Sequence, residues 1–173
     1  QRGRLDDAAA DFDRAIVMGN GHPDAFVGRA EVYRQAGESE SSLEMFTRAL
    51  EAKPDHLGAL IGKGEILREQ GQFEEALGDY DRAINLAPND LDLLVGRGEI
   101  MRQLGRLGEA VRDFTRALES HPDHLWALLG RGATLRAQND LEASFADFDR
   151  AMKIDNRDPW IWAHRGETRR LLG

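Results

Sequence analysis

The chain has 173 residues, 41% apolar and 31% charged, with a net charge of −8 and no cysteine. This balance fits a folded chain rather than a disordered one, and it excludes disulfides, thiolate zinc sites and cysteine nucleophiles. No apolar run approaches the ~20 residues of a membrane-spanning helix, no signal-peptide pattern opens the chain, and an acidic chain is a poor generic ligand for nucleic acid or anionic membrane. A cytoplasmic location is therefore expected. The chain begins at Gln1 rather than Met, which suggests a fragment of a longer protein.

In chain order the expected elements are all helices, and they recur every 34 residues without a gap. Phe12, Phe46, Tyr80, Phe114 and Phe148 form one column. Ala15, Ala49, Ala83, Ala117 and Ala151 form a second; Arg14, Arg48, Arg82, Arg116 and Arg150 form a third. Gly3, Gly37, Gly71, Gly105 and Gly173 make a fourth, with Asn139 in the vacant place. Five aromatics in register at 7% aromatic content is very improbable by chance. Residues 1–22 read as one helix with Ala9, Phe12 and Ile16 apolar. Residues 23–56, 57–90, 91–124 and 125–158 each read as two helices. In 57–90 the first covers 57–70, with Leu60, Gly64 and Leu67 at helical spacing. Gly71 stops it, 73–87 forms the second, and Pro88-Asn89 turns into the next period. Residues 159–173 read as a single helix carrying Ile161, Trp162 and Leu171. No segment alternates with strand period.

Leu60, Gly64, Leu67, Ala76, Tyr80 and Pro88 carry a resemblance to the tetratricopeptide repeat, whose 34-residue pattern is W-x2-L-G-x2-Y…A-x3-F…P. Phe26, Leu94, Leu128 and Trp162 fill the first position in the other periods. The resemblance covers the whole chain. It implies an all-α, right-handed superhelical solenoid of antiparallel helix pairs, about ten helices in one array of four full and two half repeats. It also implies a non-catalytic scaffold for protein–protein interaction. The departures are Arg29, Lys63, Arg97, Arg131 and Arg165 at the family's Leu, Ser42 and Ser144 at the small residue, and Arg169 at an apolar position, where exposure is expected.

Two packing expectations follow. Gly64, Gly98, Gly132 and Gly166 should face the Ala column where the two helices of a repeat cross. The basic column should pair with the Asp 18 residues earlier, across repeats: Asp11 to Arg29, Asp79 to Arg97, Asp113 to Arg131 and Asp147 to Arg165. Where Met45 replaces Asp, Lys63 replaces Arg.

By the resemblance, the first helices line a concave groove. Val27, Ile61, Val95, Leu129 and Ala163 give an apolar strip; Glu31, Glu65, Glu99, Ala133 and Glu167 an acidic one; Arg34, Arg68, Arg102, Arg136 and Arg170 a basic one. Trp126 and Trp160 begin the same face, and Gly28, Gly62, Gly96 and Gly130 would admit a ligand backbone. An extended peptide or a partner helix suits such a surface, with Arg and Trp as common anchors. The competing reading is an intrahelical Glu–Arg pair. Lys and Asn, which the family uses to clamp chaperone carboxylates, are missing from these groove positions.

Chemistry finds no footing, and no cofactor is expected. His22, His56 and His124 recur in inter-repeat turns far apart, and no third ligand joins His121 and His124 for a metal. Gly62-Lys63-Gly64 is not a P-loop, and no nucleophile elbow occurs. RNA binding through the Arg stripe is a minor alternative, since each Arg except Arg136 follows a Glu. A further alternative is an oligomerisation or sensor segment of a signalling or regulatory protein, assembling head to tail through open ends.

Overall fold

The computed structural model describes residues 2–173, with side chains from Arg4 onward; Gln1 and the side chains before Arg4, Gly3 included, lie outside it. Among the described residues there are ten helices and no strand, so the all-α expectation holds. None of the helices is long and apolar enough to cross a membrane.

The chain divides into two compact units, Gln1–Pro88 and Asn89–Gly173. The first holds α1 (Arg2–Met18), α2 (Pro23–Ala36), α3 (Ser39–Ala52), α4 (Leu57–Glu69) and α5 (Phe73–Leu86). Each helix packs on its predecessor, and α2 also touches α4. The second holds α6 (Leu91–Gln103), α7 (Leu107–Ser120), α8 (Leu125–Ala137), α9 (Leu141–Ile154) and α10 (Pro159–Leu172). It is built the same way, with α8 touching both α6 and α10.

Short turns make each helix pair antiparallel. Gly37, Gly71 and Gly105 close the turns at φ of 79°, 75° and 73°, and Asn139 adopts the same left-handed conformation at 64°, as this residue type tolerates. The histidine column has a structural task. His22, His56 and His124 are N-caps whose Nδ1 accepts a backbone N–H of the first turn, satisfying a donor that the helix leaves unpaired. Two members of the Arg column reach back 28 residues to the preceding turn: Arg82 donates to the Pro54 carbonyl and Arg150 to the Pro122 carbonyl.

The core is built from the aromatic and alanine columns together, with Ala49, Ala83, Ala117 and Ala151 fully buried. Phe46, Phe114 and Phe148 are fully buried. Each of these rings lies against a small residue of its own repeat. A Cβ at Gly98 would stand 2.9 Å from Phe114, and one at Gly132 would stand 3.2 Å from Phe148. The atoms nearest these built Cβ positions belong to the aromatic, while Ser144 of the small-residue column reaches the Gly132 carbonyl at 2.8 Å. Gly166, on α10, has no atom within 4 Å of such a Cβ.

The second glycine column is also filled from within. A Cβ at Gly28 would lie 2.2 Å from Phe12, one at Gly62 2.2 Å from Phe46, and one at Gly130 2.5 Å from Phe114. These are rings of the preceding repeat. Gly28, Gly62 and Gly130 are thus occupied by the protein's own aromatics, and the expectation that they admit a ligand backbone is corrected.

The ion pairs also differ from the expected register. Arg97 forks onto Asp113 at 2.7 and 2.8 Å, Arg131 onto Asp147 at 2.7 Å through both nitrogens, and Lys63 sits 2.9 Å from Asp79. Each partner lies 16 residues later, in the same repeat. The cause is the glycine beside the basic residue. Where Gly64 and Gly132 let the helices approach, Asp79 and Asp147 lie directly opposite, their Cβ atoms 3.6 and 3.4 Å from the built position. Pairing between repeats does occur, from another column. Arg29, opposite Met45, turns to Asp13 at 2.9 Å, and Arg165 takes Asp149 at 2.7 Å. Arg131 also donates to Thr115, which fills the Asp13 column in its period.

Candidate functional site

The candidate residues sit on the first helix of each pair. In the first unit, Val27, Glu31 and Arg34 lie on α2, and Ile61, Glu65 and Arg68 on α4. The spacing of three and four residues keeps each set on one face. Val27 and Ile61 are half-buried. Glu31 holds Arg34 through two hydrogen bonds of 2.9 and 2.7 Å. This bond, with Glu65 and Glu69 nearby, holds the Arg34 proton more tightly than usual. Glu65 and Arg68 form no such bridge among the described residues. This face is acidic around Arg34.

In the second unit the face is built from α6, α8 and α10. Val95 is half-buried, but Leu129 is 3% exposed and belongs to the core, so it offers little to a partner. Glu99 holds Arg102 at 2.8 and 3.1 Å, and Glu167 holds Arg170 at 2.7 and 2.8 Å. The Glu167 carboxyl is pulled below its ordinary range first by this bond and then by the charges of Arg170 and Arg136. Arg169 is exposed, as expected, and leans over the Phe145 ring at 5.1 Å.

Arg136 behaves differently. Ala133 stands where the other first helices have Glu, and α8 carries no acidic residue. Arg136 instead crosses to α10, donating to His164 Nδ1 at 2.7 Å and to the His164 carbonyl at 3.3 Å. The acceptor nitrogen requires a neutral ring in this bond. Burial, then the charges of Arg136 and Arg102, push the His164 pKa below its usual value. Trp160 packs on His164 with ring centres 3.7 Å apart, and Phe148 stacks on His164 at 5.7 Å while meeting Trp160 edge-on at 6.2 Å.

Trp126 is 65% exposed and Trp160 44% exposed. Both open their helices, after His124 and Asp158 as N-caps. His164 carried no role in the sequence reading. Two sequence signals bear on it: the missing Glu at 133, which leaves Arg136 in need of a new acceptor, and His164 itself, which stands where the column Gly28, Gly62, Gly96 and Gly130 would place a glycine.

The sequence pattern of the tetratricopeptide repeat family matches residues 1–42, 27–90 and 95–159. Several solved structures are similar in fold. YrrB, described as a tetratricopeptide repeat protein with an unusual peptide-binding site, is 24% identical, with a TM-score of 0.86 over 95% of this chain and 84% of its own. A tetratricopeptide repeat protein from Parabacteroides merdae is 22% identical, with a TM-score of 0.86 over 99% and 68%. MamA from Desulfovibrio magneticus RS-1 is 17% identical, with a TM-score of 0.83 over 90% and 88%. No curated protein matches the chain significantly.

Proposed function

Because the chain belongs to the tetratricopeptide repeat family, we propose that it is a non-catalytic interaction scaffold whose first-helix faces take up a peptide or a partner helix. The observation that carries this reading is the exposure of Trp126 and Trp160. The phenylalanines at 46, 114 and 148 are wholly buried, so aromatic side chains left in water on the candidate face are the exception here. Large aromatics that become desolvated on binding are frequent hot spots. A peptide-binding precedent exists in YrrB, whose likeness to this chain is one of fold.

The mechanism is recognition without chemistry. The helices are held by buried rings and ion pairs before any partner arrives, so little ordering is needed on binding. Apolar contact at the tryptophans would supply most of the affinity. The arginines at 34, 102 and 170 each begin with an intrahelical carboxylate, and would have to exchange it to engage a ligand. Pull-down with Trp126→Ala and Trp160→Ala tests the reading. Loss of the partner with unchanged circular dichroism supports it; full retention by both variants, and by Arg68→Glu, Arg102→Glu and Arg136→Glu, refutes it.

A second reading is self-association, favoured by exposed Trp162, Leu171 and Leu172 on α10 and Val17 and Met18 on α1. Light scattering over a range of concentrations decides it. A constant monomer mass at high concentration rejects it.

A further inference from the structure

The second unit breaks the 34-residue pattern twice on one helix face, and the two breaks are complementary. Position 126 is Trp where the preceding periods have Asp24, Gly58 and Asp92, and position 133 is Ala where every other first helix has Glu. One change adds exposed apolar surface; the other removes a negative charge. Resting on the scaffold reading above, we propose that the α8–α10 face binds an acidic peptide segment that also carries a bulky apolar side chain, with Arg136 receiving the carboxylate and Trp126 and Trp160 receiving the apolar group.

Charge complementarity carries the choice of partner. On α8 the two cations are Arg131 and Arg136, and there is no carboxylate. Arg131 is neutralised by Asp147 from α9. Arg136 forms no hydrogen-bonded ion pair: its acceptors are His164 Nδ1 and a backbone carbonyl, and the Glu167 carboxylate that feels its charge is held by Arg170. Two N–H groups are used in those bonds, and a guanidinium has five. The remaining ones can receive a carboxylate in a charge-assisted bond. The first unit differs in the acidic residues around its arginines. Arg34 is held by Glu31, and Arg68 has Glu65 and Glu69 on its own helix.

The spacing sharpens the ligand. Trp126 and Arg136 are ten positions apart on one helix, a rise of about 15 Å. An extended peptide covers that in four or five residues. Trp160 is linked to Arg136 more directly, since both contact His164. The expected segment therefore carries an Asp or Glu no more than about five residues from a Leu, Phe, Met or Trp.

The test is selection of a phage-displayed random dodecapeptide library on the full chain, then titration of the fluorescein-labelled consensus peptide. Enrichment of acidic residues at that spacing from a bulky apolar residue is expected. Ala133→Glu restores the charge that the other first helices carry and gives Arg136 an intrahelical partner, without deleting a contact. It should weaken binding at least tenfold, as should Trp126→Ala, while Arg112→Gln, an exposed position on the second helix α7, leaves Kd within twofold. Circular dichroism melts establish that each variant is folded, and Arg136→Gln, paired with Arg136→Lys, serves as a second charge probe. Enriched peptides that are neutral or basic, or whose binding ignores Ala133→Glu, overturn this inference and leave the scaffold reading standing. Failure to enrich any peptide over a blocked surface overturns both.

Discussion

Replacing Gly62 with Ala should destabilise the protein, although the same change in an open helix stabilises. The new Cβ would stand 2.2 Å from Phe46 Cζ and 2.6 Å from both Cε atoms. Carbon atoms in contact prefer about 3.5–4.0 Å, so the ring must retreat by more than ~1 Å. It has no space to do so: Phe46 is fully buried in a cluster with Phe26, Ala30, Met45, Ala49, Ala59 and Ile66. Overpacking of this kind costs ~1–3 kcal/mol. The helix gains up to ~1 kcal/mol from losing a glycine. With the full helix gain a net loss of up to about 2 kcal/mol remains, or as much as ~8 °C in Tm at ~2–4 °C per kcal/mol. Gly78→Ala on α5 and Gly166→Ala on α10 supply the reference, because no atom lies within 4 Å of either built Cβ. They should gain up to ~1 kcal/mol. Urea titrations followed by far-UV circular dichroism would measure all three. If Gly62→Ala proves as stable as Gly78→Ala, the ring does not fill the glycine's place and the packing argument fails.

Other substitutions probe the ion pairs and the histidine. Arg131→Leu leaves Asp147, 3% exposed, as an uncompensated buried charge and should cost ~3–5 kcal/mol. Arg29→Leu releases an Asp13 whose side chain is 58% exposed and should cost under ~1 kcal/mol; equal losses in urea midpoint would refute the distinction. Lys63→Arg should add the fork that Arg97 and Arg131 make and gain roughly 0.5–1.5 kcal/mol, which a Tm comparison would detect. The lowered pKa of His164 means that the unfolded chain binds a proton at this site more readily than the folded one. Its contribution is therefore complete above the ordinary histidine pKa of ~6.5 and declines as pH falls toward and through the lower folded value. The fall in urea midpoint between pH 7.5 and 5.5 should shrink in His164→Leu, and an unchanged fall would remove His164 as a contributor.

The period, the helix pairs and the turn residues were legible because each leaves a mark at a fixed offset. Gly71 and Asn139 announce a left-handed turn, and Phe114 announces a core. The ion-pair register was not legible. Asp79 lies 16 residues after Lys63 and 18 before Arg97, and spacing alone does not say which antiparallel neighbour is nearer. The answer depended on how closely the helices approach at Gly64, a property of packing. The same is true of Gly28, Gly62 and Gly130, which looked like room for a ligand until the rings of the preceding repeat filled them. On the candidate face, the strips of Glu and Arg could be read, and so could the irregularity at Ala133. That Arg136 would turn to His164 could not, since the two are 28 residues apart on different helices.

The place of Phe114 between Gly98 of its own repeat and Gly130 of the next has a consequence for how such a chain can grow. Phe12, Phe46 and Phe114 each present a ring to a glycine recess of the module after them, at Gly28, Gly62 and Gly130. Tandem duplication therefore copies plug and socket together, and a new module can fit its neighbours at once, with no compensating change elsewhere. A substitution in the ring disturbs two modules, whereas one in the socket disturbs a single joint. Variation in length should accordingly be tolerated more readily than variation in that one aromatic column.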